Sequence, residues 1–221
     1  MIEILVFDLT LAAINIGNYI EKELPIEAKK VVGDNCHSVE EVAEKIAPYI
    51  GEVDVVILAS STLSAKCGEY LERRYPAQKF IFFGADLPKV IAENKKVSIL
   101  TPLELRATQY YQMQKARCQG QEITELNCER WLEIVKSRNF HWQEMIIHEV
   151  EGLIGVKLII NSPELVAIYD ELEKIIDWRV NLIDLRKGIV EELKKYFSMK
   201  DGHNMGRSIR ETVLINNGLL K

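Results

Sequence analysis

Cysteine is scarce in this sequence and never clustered: Cys36, Cys67, Cys118 and Cys128 include no C-x-x-C pair. That spacing argues against a structural zinc site or a disulfide framework and suits reduced thiols. His141 and His148 lie on one helical stretch without a third ligand, so no metal centre is expected. No run approaches the ~18 apolar residues of a membrane span. Basic runs stop at pairs such as Lys29-Lys30 and the formal net charge is -5, which argues against a nucleic-acid partner. The opening MIEILVFDLT has no basic residues before its apolar ones and is interrupted by Glu3 and Asp8, unlike a signal peptide. The expected compartment is the cytoplasm, with no membrane partner.

What is present is an ordinary globular composition, 48% hydrophobic and 28% charged over 221 residues, enough for a sizeable core. Short apolar runs alternate with amphipathic stretches, the pattern of α/β units with largely parallel strands. Strands are predicted at Ile2 to Phe7, Lys29 to Gly33, Val53 to Ala59, Phe80 to Gly84, Val97 to Leu100, Glu122 to Leu126, Val156 to Ile160 and Val180 to Ile183. Helix starts are marked by capping chemistry. Ser38-Val39-Glu40-Glu41 and Thr101-Pro102-Leu103-Glu104 both fit the capping box, and Ser162-Pro163 places a cap hydroxyl before a proline at the first helical position. Leu63, Cys67, Tyr70 and Leu71 form one buried helix face, and Leu165, Ile168, Leu172 and Ile175 another.

The strand exits read Asp8-Leu9-Thr10, Gly33-Asp34, Ser60-Ser61-Thr62, Thr101-Pro102 and Asn161-Ser162. In open α/β sheets ligands bind beyond the carboxyl ends of the strands, where helix N-termini offer N–H groups to an anion such as a carboxylate. Ser, Thr and Asp are also the commonest helix caps, so any single exit carries little weight.

Taken in order, the segments resemble the aspartate/glutamate racemase superfamily, and most closely its glutamate racemase branch. The F-D-S-G-x-G-G opening of that family is matched by Phe7-Asp8-Leu9-Thr10-Leu11-Ala12-Ala13, and its L-P and G-D elements by Leu24-Pro25 and Gly33-Asp34. Its A-C-N-T-A-S-A motif lies over Ala59-Ser60-Ser61-Thr62-Leu63-Ser64-Ala65. The A-T-x-x-T-I-x-S-x-x-Y element resembles Leu100 through Tyr110, and the closing I-D-S-G resembles Ile183-Asp184-Leu185-Arg186. Coverage runs to about Phe197.

The resemblance implies a cofactor-independent enzyme with two opposed cysteines, and both positions differ in this chain. Ser60 stands at the first. The second belongs to L-G-C-T-H-x-P, matched by Ile159-Ile160-Asn161-Ser162-Pro163-Glu164; ungapped, Asn161 falls on the cysteine, with a slip of a residue or two left open. A thiol can be tuned to exchange a proton near neutral pH, whereas a serine hydroxyl needs a strong adjacent base. Asp8 could be that base for one face only. Leu11-Ala12-Ala13 replaces a glycine-rich turn, and Glu104 sets a negative charge where a substrate carboxylate would lie, or simply serves its helix cap. Of the remaining thiols, Cys36 beside His37 is a less favoured nucleophile–base pair, Cys67 reads as packing, Cys118 as exposed, and Cys128 as a match to a non-catalytic family cysteine.

The expected architecture is two similar α/β lobes with mainly parallel sheets and a cleft between them. Residues 1–94 plus 180–197 form the first lobe, 95–179 the second, and 198–221 a divergent C-terminal tail. The expected substrate-binding residues are Asp8, Thr10, Ser60, Ser61, Thr62, Thr101, Asn161 and Ser162. Two functions remain: a racemase-like protein without two-thiol chemistry that binds a small polar metabolite or a protein partner, or a diverged cofactor-independent isomerase or lyase acting on an amino acid or dicarboxylate. A small carboxylate or amino acid is the small-molecule partner to test, and a homodimer is left open.

Overall fold

The computed structural model describes residues 2–34, 36–137, 141–153 and 155–200. Eight strands are predicted and, among the described residues, eight form: β1 (Glu3–Asp8), β2 (Glu27–Val32), β3 (Val55–Leu58), β4 (Lys79–Phe82), β5 (Lys96–Thr101), β6 (Glu122–Asn127), β7 (Lys157–Ile160) and β8 (Asn181–Ile183). Between the strands of the first half lie α1 (Ala12–Glu23), α2 (Val39–Ile46), α3 (Ser61–Arg74) and α4 (Leu87–Ala92). The second half carries α5 (Leu103–Arg106), α6 (Gln109–Ala116), α7 (Cys128–Ser137), α8 (Trp142–Val150), α9 (Pro163–Val166), α10 (Tyr169–Ile175) and α11 (Arg186–Lys200).

The strands make two parallel four-stranded sheets, in the orders β2-β1-β3-β4 and β6-β5-β7-β8. The second order repeats the first with four added to each strand number, so the chain folds as two lobes of one topology. Strands covered on both faces read as continuous apolar runs. In β1, Ile4, Leu5, Val6 and Phe7 are all fully buried, and the period-2 pleat sends them alternately to two cores. Leu5 and Phe7 join Val42, Ala43, Leu63 and Leu71 under α2 and α3. Ile4 and Val6 join Ile16 and Ile20 of α1 and Leu193 of α11, in a core continuous with that of the second lobe.

The lobe boundary differs from the sequence reading. The expected first lobe includes 180–197, but β8, within that stretch, pairs with β7 in the second sheet, Leu158 opposite Leu182. Among the described residues only α11 crosses back, against α1 and β4. A three-residue strand on a sheet edge has too little pattern to announce which sheet it joins. Of the tail assigned to 198–221, residues 198–200 continue α11, and 201–221 lie outside the described residues.

The crossing is pinned by Arg186. The residue is 2% exposed; its guanidinium bonds Asp184 through Nε and Nη2 at 3.0 and 2.9 Å, reaches Asp170 at 2.8 Å, and lies over the rings of Tyr19 and Tyr169, 4.2 and 4.6 Å from their centroids. Tyr19 belongs to the first lobe and Tyr169 to the second. Asn15 of α1 also donates to the Ala167 carbonyl at 2.8 Å. Among the described residues no helix is long and apolar enough to cross a membrane.

Candidate functional site in the interlobe cleft

A cavity of about 330 Å³ opens between the lobes at the carboxyl ends of the strands, within the size range of small-molecule sites. Asp8, Thr10, Ser60, Thr62 and Lys66 line it from the first lobe; Pro102, Glu104, Glu129, Pro163 and Glu164 line it from the second. The other predicted residues, Ser61, Thr101, Asn161 and Ser162, lie at the same strand exits but are at most 3% exposed.

Asp8 ends β1, where the chain turns into α1. Its Oδ1 accepts from the Thr10 amide at 2.9 Å and the Thr10 hydroxyl at 2.8 Å, and Thr10 Oγ1 accepts in turn from the Ala12 amide at 3.1 Å. Asp8 is 1% exposed, and its Oδ2 has no hydrogen-bond partner. Burial pushes the Asp8 carboxyl above the usual carboxylate range; the Ser60 and Thr10 groups pull it back, and the charge of Glu164 pushes it up further.

Ser60 caps α3, its Oγ accepting from the Leu63 amide at 3.2 Å. The adjacent Ser61 Oγ donates across the lobes to Asn161 Oδ1 and lies 3.3 Å from the Phe83 carbonyl oxygen. Gly84 makes room for this contact: a Cβ there would lie 2.5 Å from Ser61 Oγ, and its φ of +76° suits glycine. Asn161 Nδ2 is buried without a partner, as is Thr101 Oγ1.

The internal repeat relates the two halves of the site residue by residue. Phe7 pairs with Leu58 in the first sheet and Leu100 with Ile160 in the second. The next amides, of Ala59 and Asn161, donate to Phe7 O and Leu100 O, each at 2.9 Å. Asn161 is therefore the counterpart of Ala59, Ser162 of Ser60, Glu164 of Thr62 and Thr101 of Asp8. Like Ser60, Ser162 is an N-cap residue, but its Oγ donates to Glu164 Oε2 at 2.9 Å instead of accepting from the helix.

Two local predictions fail. Thr101 does not cap a helix: it remains in β5 opposite Asn127, Pro102 precedes α5, and the Leu103 amide is taken by Glu129 Oε1 at 2.7 Å. Glu104, predicted to close that box, pairs instead with Lys66 of α3 across the cleft. Cys118, expected to be exposed, is 4% exposed, its Sγ 3.3 Å from the Gln114 carbonyl as α6 ends. By contrast, the Ser38 cap forms, Oγ accepting from the Glu41 amide at 3.1 Å.

No cysteine lines the cavity. Cys67 is buried, as predicted, and its thiol is pushed up to about 11 by burial. Cys128 is pushed up to about 12 by the same cause, with the Ser162 hydroxyl drawing it down. Cys36 is half-buried against the core under α2 and its thiol too is raised by burial, while His37 is exposed. His141 and His148 contact Glu144 and Glu151 at 2.9 and 3.1 Å.

Sequence reasoning did not place Lys66, Glu129 or Glu164 in the cleft. Lys66 sits more than a turn into α3, and Glu129 and Glu164 are acidic first-turn residues, which helices favour anyway. Ungapped, the histidine of L-G-C-T-H-x-P falls on Pro163, so the motif gave no signal for Glu164.

No family model matches the chain, and no curated protein matches it by sequence. Solved structures do. Glutamate racemase from Francisella tularensis in complex with D-glutamate matches with a TM-score of 0.68 at 18% identity, over 94% of this chain and 85% of that one. A glutamate racemase isoform from Bacillus anthracis matches at 0.70 and 14%, over 90% and 82%. Allantoin racemase from Klebsiella pneumoniae matches at 0.62 and 14%, over 90% and 89%. The chain thus has the two-lobe α/β fold of these racemases.

Proposed function

We propose that this protein is a diverged member of the aspartate/glutamate racemase superfamily that binds a small polar metabolite in the interlobe cleft and does not carry out two-thiol racemisation. The observation that carries this reading is the pair of matched helix starts facing the cleft. Ser60 and Ser162 hold equivalent places in the two lobes, and each has a carboxylate for company, Asp8 and Glu164. Racemisation by opposed thiols needs one group on each face of the α-carbon that both takes and returns a proton near neutral pH. An alcohol at a helix cap does neither unaided. The repeat supports Ser162, one residue beyond Asn161, as the partner position to Ser60.

The same pairs support a second reading, a diverged isomerase or lyase acting on an amino acid or dicarboxylate. Asp8 beside Ser60 and Glu164 on Ser162 would then form two hydroxyl–carboxylate relays. The test that separates them is proton exchange: incubate the protein with D- and L-glutamate and D- and L-aspartate in deuterated buffer and follow the α-proton by NMR. The binding reading expects no washout at high protein concentration over hours. Washout abolished by Ser60→Ala would establish the catalytic reading instead.

A further inference from the structure

Both lobes bring apolar side chains to the cleft. Leu9, directly after β1, is exposed and lines the cavity, and exposed Leu11 follows two residues on. In the second lobe Leu103 of α5 is exposed, and its neighbours on either side, Pro102 and Glu104, line the cavity. Leu132 of α7 and Pro163 of α9 extend the apolar lining. A single exposed leucine is ordinary, whereas several at the mouth of one cavity mark a binding surface. Two of the positions depart from the resembled motifs in the same direction. Leu9 stands at the serine of F-D-S-G-x-G-G, and Leu63, which also lines the cavity, at the alanine after the threonine of A-C-N-T-A-S-A. The charged side chains of the wall are meanwhile engaged within the protein. Lys66 pairs with Glu104 across the cleft, Glu129 Oε1 accepts from the Leu103 amide at 2.7 Å, and Glu164 Oε2 accepts from the Ser162 hydroxyl at 2.9 Å.

We propose that the cleft selects an amino acid with an apolar side chain over one whose side chain ends in a polar group, with Leu9 of the first lobe and Leu132 of the second as the specificity-determining residues. The proposal rests on the reading of the cleft as a small-molecule site and specifies what enters it. Leu9 and Leu132 take an aliphatic or thioether side chain out of water, a gain that grows with the apolar area covered. A carboxamide of the same length gives up its hydration against leucine and proline walls. A carboxylate does so too, and it also meets the charges of Glu104, Glu129 and Glu164 on the wall.

Isothermal titration of the full chain with L- and D-methionine against L- and D-glutamine tests the proposal. The two are matched in length and share one head group, so their ratio reads the side chain alone. In the hand that binds better, methionine should bind at least about ten-fold more tightly than glutamine. Leu9→Ser and Leu132→Ala, each shown to be folded by a cooperative thermal melt, should narrow that ratio by about three-fold or more. Leu9 is exposed, so Leu9→Ser carries the test even if Leu132→Ala fails to fold. Glutamine binding as tightly as methionine would overturn the selectivity. So would silence of methionine in both hands up to about 10 mM, or a ratio unchanged in Leu9→Ser. None of these results touches the underlying reading, which falls separately if the same preparation washes out the α-proton of glutamate in a Ser60-dependent way.

Discussion

Ser61 of the first lobe donates its hydroxyl proton to the Asn161 carboxamide of the second, a contact buried from solvent and walled by Gly84. It ties the start of α3 to the exit of β7, directly behind the cleft. Ser61→Ala removes the one partner of a buried carboxamide oxygen, and should lower stability by about 1–3 kcal/mol. Urea denaturation checks this. Asn161→Ala on top of Ser61→Ala should cost less than the sum of the singles, because the second change removes the group the first left stranded.

Asp8 should weigh against the fold at neutral pH. Its carboxyl is raised by burial in the folded chain and ordinary in the unfolded one. The favourable contribution is therefore complete only below the ordinary carboxylate range and disappears as pH rises through the raised folded value. Asp8→Asn should raise the melting temperature at pH 7.5 and lose most of that advantage toward pH 4. An equal effect at both pH values would show that ionisation is not the cause.

Asp86 supplies a second pH dependence, at a distance from the cleft. Burial lifts its carboxyl to about 6, Glu191 and Glu192 of α11 add to the lift, and Lys89 opposes it. The side chain also presses on the helix: a Cβ at Gly188 would lie 2.1 Å from Asp86 Oδ2. Stability should fall as pH rises from about 4 to about 6 and level off above. The denaturation midpoint of Asp86→Asn should be flatter over this window than that of the parent.

Much of the fold was legible because its strands are buried on both sides and so stand out as apolar runs. Val55 to Leu58 and Leu158 to Ile160 need no tertiary context to be recognised. The Ser38 cap was legible because every atom involved lies within a few residues. What was hidden depends on partners distant in sequence. The Thr101 box fails because Glu129 supplies the Leu103 amide first, and Glu104 is drawn away to Lys66. In the cleft, strand exits revealed Asp8, Thr10, Ser60 and Thr62. The choice between Asn161 and Ser162 required the register of β5 on β7, which residue spacing does not carry.

Arg186→Ala should be the most damaging single change. It leaves Asp184, 8% exposed, without its guanidinium and empties the space between Tyr19 and Tyr169. Breaking a buried pair from one side costs about 3–5 kcal/mol. Arg186→Lys keeps the charge but not the planar fork, and should recover only part of the loss. Chemical denaturation of the three proteins side by side tests the order.

Supplying thiols should not be enough for racemisation. Neither Ser60→Cys with Asn161→Cys nor Ser60→Cys with Ser162→Cys should exchange the α-proton of glutamate faster than the parent. Glu104, Glu129 and Glu164 line the cavity against its carboxylates, Lys66 is held by Glu104, and a misplacement of ~1 Å costs on the order of 100-fold. Rapid α-proton washout in either variant by NMR in deuterated buffer would contradict this.

The return of α11 to the first lobe also bears on how the chain is made. Leu193 and Phe197 complete a core that begins with Ile4 and Val6, so one face of the first sheet is covered only in part, by α1, while the second lobe is still being translated. At ~5–20 residues per second, the stretch from Ala92 to Arg186 occupies the ribosome for on the order of ten seconds. Throughout that interval the nascent first lobe presents β4 and α1 to the cell without the cover of α11, a window in which chaperone capture and aggregation compete with the arrival of that helix.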